Sequence, residues 1–390
     1  MPFGFHIEAR SQGARAGRIT TDHGEFPTPV FMPVGTQATV KGATVDDLRE
    51  TGARILLGNT YHLFLRPGVE RVERAGGLHR FMGWDGAILT DSGGYQVFSL
   101  ESLRRVSADG VKFRSHLDGS LHMFTPESVL EAQVRLGADI LMSFDYFGGI
   151  PCGRDDAERS VELTTAWARR GRDVNGARFN RSGYEQVVFG IVQGAEYPDL
   201  RARSLAEIAA LDFPGYAIGG LAVGEDKAQT RDITEQVASG LPGDRPRYLM
   251  GMGTPVDLVE AVARGVDMFD CVLPTRNARN GTVFTRDGRL VLRNAAHQDE
   301  FVPLDAECEC WTCRRHTRAY LRHLFMTGEM LGPMLATRHN LHFYADVMRA
   351  ARGAIERGDF DAWRRGFDDR FERGEASRER HGEENQRRTS

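Results

Sequence analysis

Eight short apolar runs recur along the chain, at residues 30–34, 54–58, 87–91, 140–145, 187–193, 216–220, 247–251 and 269–273. They are near-continuous in hydrophobicity rather than alternating, as strands covered on both faces should be. Helical patterns lie between most of them. Thr254 reads as an N-cap and Pro255 as the first helical position, with Val256, Val259 and Val262 on one face and Gly265 as the stop. Thr125-Pro126 opens another helix that Gly137 closes, and residues 199–211 and 226–239 carry two more. Eight strands alternating with helices predict an α/β fold, a parallel (β/α)8 TIM barrel rather than an open doubly wound sheet.

Two segments lie outside this repeat. Residues 4–8 and 17–21, around a glycine-containing turn, predict a small hairpin acting as a lid on the barrel. Residues 282–350 carry a second hairpin (282–285 and 290–293) and then a cysteine cluster, which together predict a metal-binding subdomain. The first 370 residues are therefore expected to form one barrel domain. The tail from residue 371 has five Arg and five Glu in its last 19 positions and almost no apolar residue, so it is expected to be disordered.

Composition narrows the function classes. No run of eighteen apolar residues and no signal peptide is present, so a cytoplasmic protein without membrane contact is expected. A net charge of −4 gives no global attraction to nucleic acid, and any RNA contact must come from a local patch. Three of the five cysteines fall within six residues, which argues for a metal in a reducing compartment and against a disulfide framework.

The chemistry-bearing residues gather at strand ends. Asp91, Asp145, Gln193, Gly220 and Asp270 all sit at or near the carboxyl ends of predicted strands, the face on which such barrels build their sites. Asp270 is followed by a short loop carrying Arg276 and Arg279; a buried carboxylate there is costly unless paired or used. An interior Asp pinned by a neighbouring arginine is the alternative reading. After Asp91, the sequence Ser92-Gly93-Gly94 lets the backbone approach a ligand and offers N–H donors, and Tyr95 can stack on a planar base. Asp145, Gln193 and the Gly219-Gly220-Leu221 turn carry the hydrogen-bonding groups that would read a guanine edge. Two carboxylates with separate roles suit cleavage of an N-glycosidic bond. One attacks the anomeric carbon and the other protonates the leaving base, at a separation of roughly 5 Å.

Cys308, Cys310 and Cys313 form a C-x-C-x-x-C pattern that needs a fourth ligand for a closed tetrahedral Zn2+ site. His316, His323, His339 and His342 are candidates. A closed site is structural and contributes folding free energy. Arg314, Arg318 and Arg322 fall at i, i+4 and i+8, one helical stripe for phosphates or else a solvated face.

The residues 58–62 (GNTYH), 91–96 (DSGGYQ), 190–194 (GIVQG), 219–225 (GGLAVGE), 248–251 (YLMG) and 269–276 (FDCVLPTR), with the cysteine cluster and Thr337-Arg338-His339, carry a resemblance to bacterial tRNA-guanine transglycosylase, the queuine tRNA-ribosyltransferase family, over residues 1–370. The resemblance implies Asp270 as nucleophile forming a covalent ribosyl-enzyme at position 34 of tRNA, and Asp91 as general acid/base. It implies that Asp145, Gln193, Gly220 and Leu221 hold the base and that Tyr95 stacks on it. Gly251, Met252, Gly253, Thr254, Pro255, Val256 and Asp257, with Thr275, Arg276, Asn277, Ala278 and Arg279, are implied to contact RNA around a U-G-U anticodon loop. His339 completes the zinc ligands by the same resemblance, and the family is a homodimer. Guanine would leave and a free 7-deazaguanine enter, in queuosine biosynthesis. The bacterial pattern has Glu-Cys after the Asp145 position, where this chain has Tyr146-Phe147. A bulky wall near the substituent at C7 of the base keeps queuine or a related base as an alternative to 7-aminomethyl-7-deazaguanine. A non-catalytic tRNA-binding subunit is opposed by the presence of both Asp91 and Asp270.

Overall fold

The computed structural model describes residues 2–98, 104–149, 152–175, 178–179, 183–221 and 226–389. Three strands open the chain: β1 (Gly4–Ser11), β2 (Ala14–Thr21) and β3 (Gly24–Thr28), paired antiparallel in that order. The barrel strands follow. β4 (Val30–Met32) and β5 (Val34–Gly35) are two halves of one segment broken at Pro33, whose carbonyl still accepts from Leu57 N at 3.0 Å. β6 (Ile55–Gly58) and β7 (Ala87–Thr90) come next, then an inserted antiparallel sheet of β8 (Arg104–Ser107), β9 (Gly110–Arg114) and β10 (Leu121–Phe124). The ring continues with β11 (Ile140–Met142); β12 (Arg178–Phe179) pairs outside it with β13 (Gln186–Val192), which precedes β14 (Gly215–Ile218), β15 (Arg247–Leu249) and β16 (Met268–Asp270). β16 pairs parallel with β4 and β5 with β6, so the eight expected runs form one parallel barrel.

Both faces of these strands are buried, which is why their sequences do not alternate. Met32, Ile55, Leu89, Ile140, Phe189, Ala217 and Met268 point inward, and their neighbours Phe31, Leu56, Ile88, Leu141, Val188, Tyr216 and Phe269 point to the helical layer. The amino-terminal element has three strands where a hairpin was expected. Its Ile19 and Phe26, with Phe3 and Phe5, pack into the inner cluster, and Phe3 meets Phe189 edge to face at 5.8 Å. It closes the floor at the amino ends of the strands, opposite the polar residues. Arg15 on β2 is fully buried against Asp267, with Nε donating to Oδ1 at 2.9 Å.

His23, His79 and Asp139 meet at the same floor, within reach of a common ion. The two imidazoles stack at 3.6 Å and 12°, so their in-plane lone pairs lie side by side instead of converging. His23 Nδ1 and Asp139 Oδ1 are 2.6 Å apart, which ties the β2–β3 turn to the start of β11.

Several boundaries differ from the sequence reading. The last barrel strand ends at Asp270, and the arginine-bearing segment is a helix, Leu273–Arg279, not a loop. Pro274 fits because a first helical turn has no use for its missing N–H. The helix expected near residues 314–325 spans Arg318–Thr327, and His339 lies inside a long helix, Leu331–Arg357, rather than at a helix start. The tail also departs from expectation: a helix runs from Phe360 to Thr389. Glu375 pairs with Arg289 of β18 (Gly288–Val291), and Arg370 with Asp287 and Glu307, which gives that helix a partner that composition alone does not reveal. Among the described residues no helix is long and apolar enough to cross a membrane.

Arg15 and Asp267 leave each other stranded if separated, and an uncompensated buried charge costs about 3–5 kcal/mol. Arg15→Ala should lower unfolding free energy by that amount in urea titration. A loss below about 1 kcal/mol would mean that the pair does not anchor the floor.

Candidate active site and metal centre

A cavity of about 680 Å³ opens at the carboxyl ends of the strands, lined by Asp91, Ser92, Gly93, Gly94, Tyr95, Asp145, Gln193, Gly220, Leu221 and Asp270. Barrel closure therefore brings together every predicted catalytic and base-contacting residue.

Asp91 follows β7 and is almost completely buried. Thr60 N (2.8 Å) and Gly93 N (3.1 Å) donate to its Oδ1; Asn59 Nδ2 (2.5 Å) and Gln96 Nε2 (3.2 Å) donate to its Oδ2. Gly93 adopts φ +74°, and a Cβ there would press on the Tyr61 backbone at 3.2 Å. Loss of water outweighs these donors, and the like charges of Asp270 and Asp145 add to it. Together they push the Asp91 pKa up to about 7. That value suits a group that must both give and take a proton near neutrality.

Asp270 ends β16. The Tyr248 hydroxyl (2.5 Å) and Gly251 N (2.7 Å) both donate to its Oδ1. Its Oδ2 is left without a hydrogen-bond partner among the described residues, on a side chain that lines the cavity. Burial raises its pKa, and the two donors oppose that rise.

Asp145 is held between Ser92 Oγ (2.7 Å to Oδ1) and Gln193 Nε2 (2.8 Å to Oδ2), and burial raises its pKa. The Gly93 and Gly94 amides, expected to face a ligand, instead donate to Asp91 Oδ1 and Ser92 Oγ. Gly220 sits at φ +66° where any Cβ would collide with the Gln193 amide oxygen. A fully buried arginine, Arg201, holds this turn by donating to the carbonyls of Ala195 (2.8 Å), Gly219 (2.7 Å) and Gly220 (3.1 Å). Residues 222–225 of the glycine-rich motif lie outside the described residues.

A candidate metal centre forms as a second cluster. The Sγ atoms of Cys308, Cys310 and Cys313 lie 3.7, 3.5 and 3.3 Å from His339 Nδ1. All four ligand atoms fall within 4.8 Å of one another. Bonds of about 2.3 Å to sulfur and about 2.0 Å to nitrogen place tetrahedral S···N pairs at about 3.5 Å, so the donor set fits. His339 Nε2 is hydrogen-bonded to Phe284 O at 2.8 Å, which assigns the proton to Nε2 and leaves Nδ1 for a metal. Of the four candidate histidines, only His339 converges. His316 instead stacks on Tyr320 at 5.1 Å.

Comparison with known proteins gives the family. The description of the queuine tRNA-ribosyltransferase family matches residues 10–373. The chain is 58% identical to the queuine tRNA-ribosyltransferase of Caldanaerobacter subterraneus subsp. tengcongensis, over 89% of this chain and 91% of that protein. It is 53% identical to that of Desulforamulus reducens over 94% and 98%, and 55% identical to that of Pelotomaculum thermopropionicum over 92% and 95%. The chain belongs to the queuine tRNA-ribosyltransferase family. It is a pentosyltransferase.

The segments that the resemblance assigns to RNA divide in this transferase. Gly251, Met252, Gly253, Thr254, Asp257 and Arg276 line the cavity. Pro255 and Val256 are buried in the first turn of their helix, Thr275 is buried with its hydroxyl on Val272 O (3.2 Å), and Ala278 is fully buried in the metal module. Asn277 and Arg279 are half-buried. The arginine stripe does not form. Arg318 is used by Glu300, Pro303 O and Leu304 O, Arg322 by Asn294 O, and Arg314 precedes the helix. Of the departing pair, Phe147 lines the cavity and meets Tyr95 at 5.5 Å and 49°, whereas Tyr146 packs away from it against Trp167 at 6.4 Å. Sequence reading gave no role to Asn59, Gln96, Tyr248 or Arg201. Asn59 directly follows β6, and the strand-end rule would have found it.

Removing the Asp270 charge relieves Asp91. A 13C NMR titration should place the Asp91 midpoint near 7 in the native protein, and lower in Asp270→Asn. A midpoint at the ordinary carboxylate value in both would refute the electrostatic coupling.

Proposed function

We propose that this transferase exchanges guanine at the wobble position 34 of tRNA for a 7-deazaguanine, through a covalent ribosyl-aspartate on Asp270. The observation that carries the reading is the asymmetric carboxylate pair. Asp270 offers an unpartnered oxygen to the cavity, while Asp91 has a pKa of about 7 in the same space.

In the first half-reaction Asp270 Oδ2 attacks C1′ of the ribose as the C1′–N9 bond breaks. Asp91 gives its proton to the departing guanine, and the pair of bonding electrons leaves with the base. In the second, the incoming base gives a proton to Asp91, its nitrogen attacks C1′, and Asp270 is released. Asp145, Gln193 and the turn at Gly220 and Leu221 read the purine-like edge in both halves, and the target nucleotide is taken out of its stack. Tyr95 stands at the rim, 52% exposed, where a ring can cover the bound base.

The incoming base is assigned as 7-aminomethyl-7-deazaguanine. Phe147 lines the cavity two residues after Asp145, and the assignment follows the bacterial-type motifs that the chain carries. The metal is assigned as Zn2+, on the three thiolates and the His339 Nδ1 geometry. A zinc there supplies folding free energy to the module. The homodimer and the cytoplasmic location implied by the resemblance belong to the same proposal.

Two experiments test this. tRNA labelled in its guanine should release label when offered 7-aminomethyl-7-deazaguanine, and a denaturation-stable tRNA adduct should vanish in Asp270→Ala. Asp91→Asn should slow exchange by roughly 10²–10⁴. Persistence of the adduct in Asp270→Ala would refute the nucleophile, and release with queuine alone would refute the base. Separately, Cys310→Ser should lose the bound zinc by atomic absorption and melt at a lower temperature. Full retention of both would refute a structural zinc.

A further inference from the structure

The inserted sheet β8–β10 interrupts the barrel repeat directly after the catalytic turn at Asp91. Its inner face, Val106, Val111, Phe113 and Phe124, packs with Tyr61, Phe144 and Trp167, and the Phe124 ring lies beside Gly93. The β9–β10 turn reaches the cavity rim. There the Tyr61 hydroxyl and His116 Nδ1 are hydrogen-bonded at 2.7 Å, and the His116 ring stands 5.9 Å from that of His62, which lines the cavity.

The outer face has a different chemistry. Strand alternation puts Arg105, Ser107, Lys112, Arg114, Leu121 and Met123 outward, all of them exposed. Register aligns Arg105 with Lys112 and Lys112 with Met123 across the three strands, and sets Arg114 opposite Leu121. None of the three cations is ion-paired to a described residue; Arg114 Nη1 donates only to Gly119 O at 3.1 Å. Side-by-side cations repel one another, and a stable fold usually offsets this with neighbouring carboxylates. Among the described residues the outward positions of these strands carry none, in a chain whose overall charge is −4. Substrate contacts in such barrels come from the segments that follow the strands, and this sheet is one of them.

We propose that the outer face of β8–β10 is an RNA-docking surface. It would engage phosphates of the tRNA strand beside the nucleotide that enters the cavity, on the Asp91 side of the mouth. Arg276 and the Gly251–Asp257 segment line the mouth from the Asp270 side, so the RNA backbone would be gripped from both. Leu121 and Met123 supply apolar contact for a sugar edge, and the cations supply the affinity and its salt dependence. This rests on the proposed tRNA substrate.

The triple variant Arg105→Ala/Lys112→Ala/Arg114→Ala should bind tRNA roughly tenfold more weakly at physiological salt. The plot of log Kd against log salt should become shallower by roughly 2, about 0.7–0.9 for each lost phosphate contact. KM for the free base and the melting temperature should not change. Lys112→Glu alone serves as the second variant should the triple fail to fold, and should weaken tRNA binding in the same direction. Unchanged tRNA affinity and slope would overturn the proposal, as would normal tRNA binding with an altered oligomeric state. Absence of tRNA binding and guanine release in the unmodified protein would instead refute the underlying function.

Discussion

The burial of Asp91 beside two other carboxylates is the constraint on which the site depends. Three acidic groups in one water-poor cavity cannot all ionise cheaply, so one of them keeps its proton near neutrality. Burial raises all three, and Asp91, although it has four donors where Asp145 and Asp270 have two each, alone carries the added repulsion of the other two charges. Pre-set donors of this kind do not reorganise during the reaction, which is how such sites stabilise developing charge.

The metal module serves that arrangement from a distance. Asn340, next to His339 in the long helix, donates to Pro274 O at 2.9 Å and to Thr282 O at 3.2 Å, and accepts from Phe284 N at 3.0 Å. Pro274 opens the short helix that follows Asp270 and carries Arg276. One turn further on, the Tyr344 hydroxyl donates to Gly253 O at 2.6 Å, in the other segment beside Asp270. His339 thus belongs to the same helix that holds both segments beside Asp270.

Much of this was legible from residue order. The eight apolar runs, the caps at Thr125 and Thr254, the strand-end polar residues and the cysteine spacing each follow from local rules of burial, capping or ligand chemistry. Two departures came where a partner remote in sequence decided the outcome: Arg289 and Asp287 meet the carboxyl-terminal helix at Glu375 and Arg370, and the arginine stripe was absorbed by carbonyls at 294, 303 and 304. The β8–β10 sheet is a local meander that the expected elements did not include, although residues 110–114 alternate clearly.

The sequence by itself determined the barrel, the strand-end face that carries Asp91 and Asp270, and the thiolate cluster, because strand period and residue chemistry are local properties. The tertiary structure alone decided which Asp270 oxygen is free, why Asp91 titrates near neutrality, which nitrogen of His339 faces the thiolates, and that Phe147 rather than Tyr146 walls the pocket. Each of these depends on distances and desolvation between residues far apart in the chain, and barrel closure is what sets them.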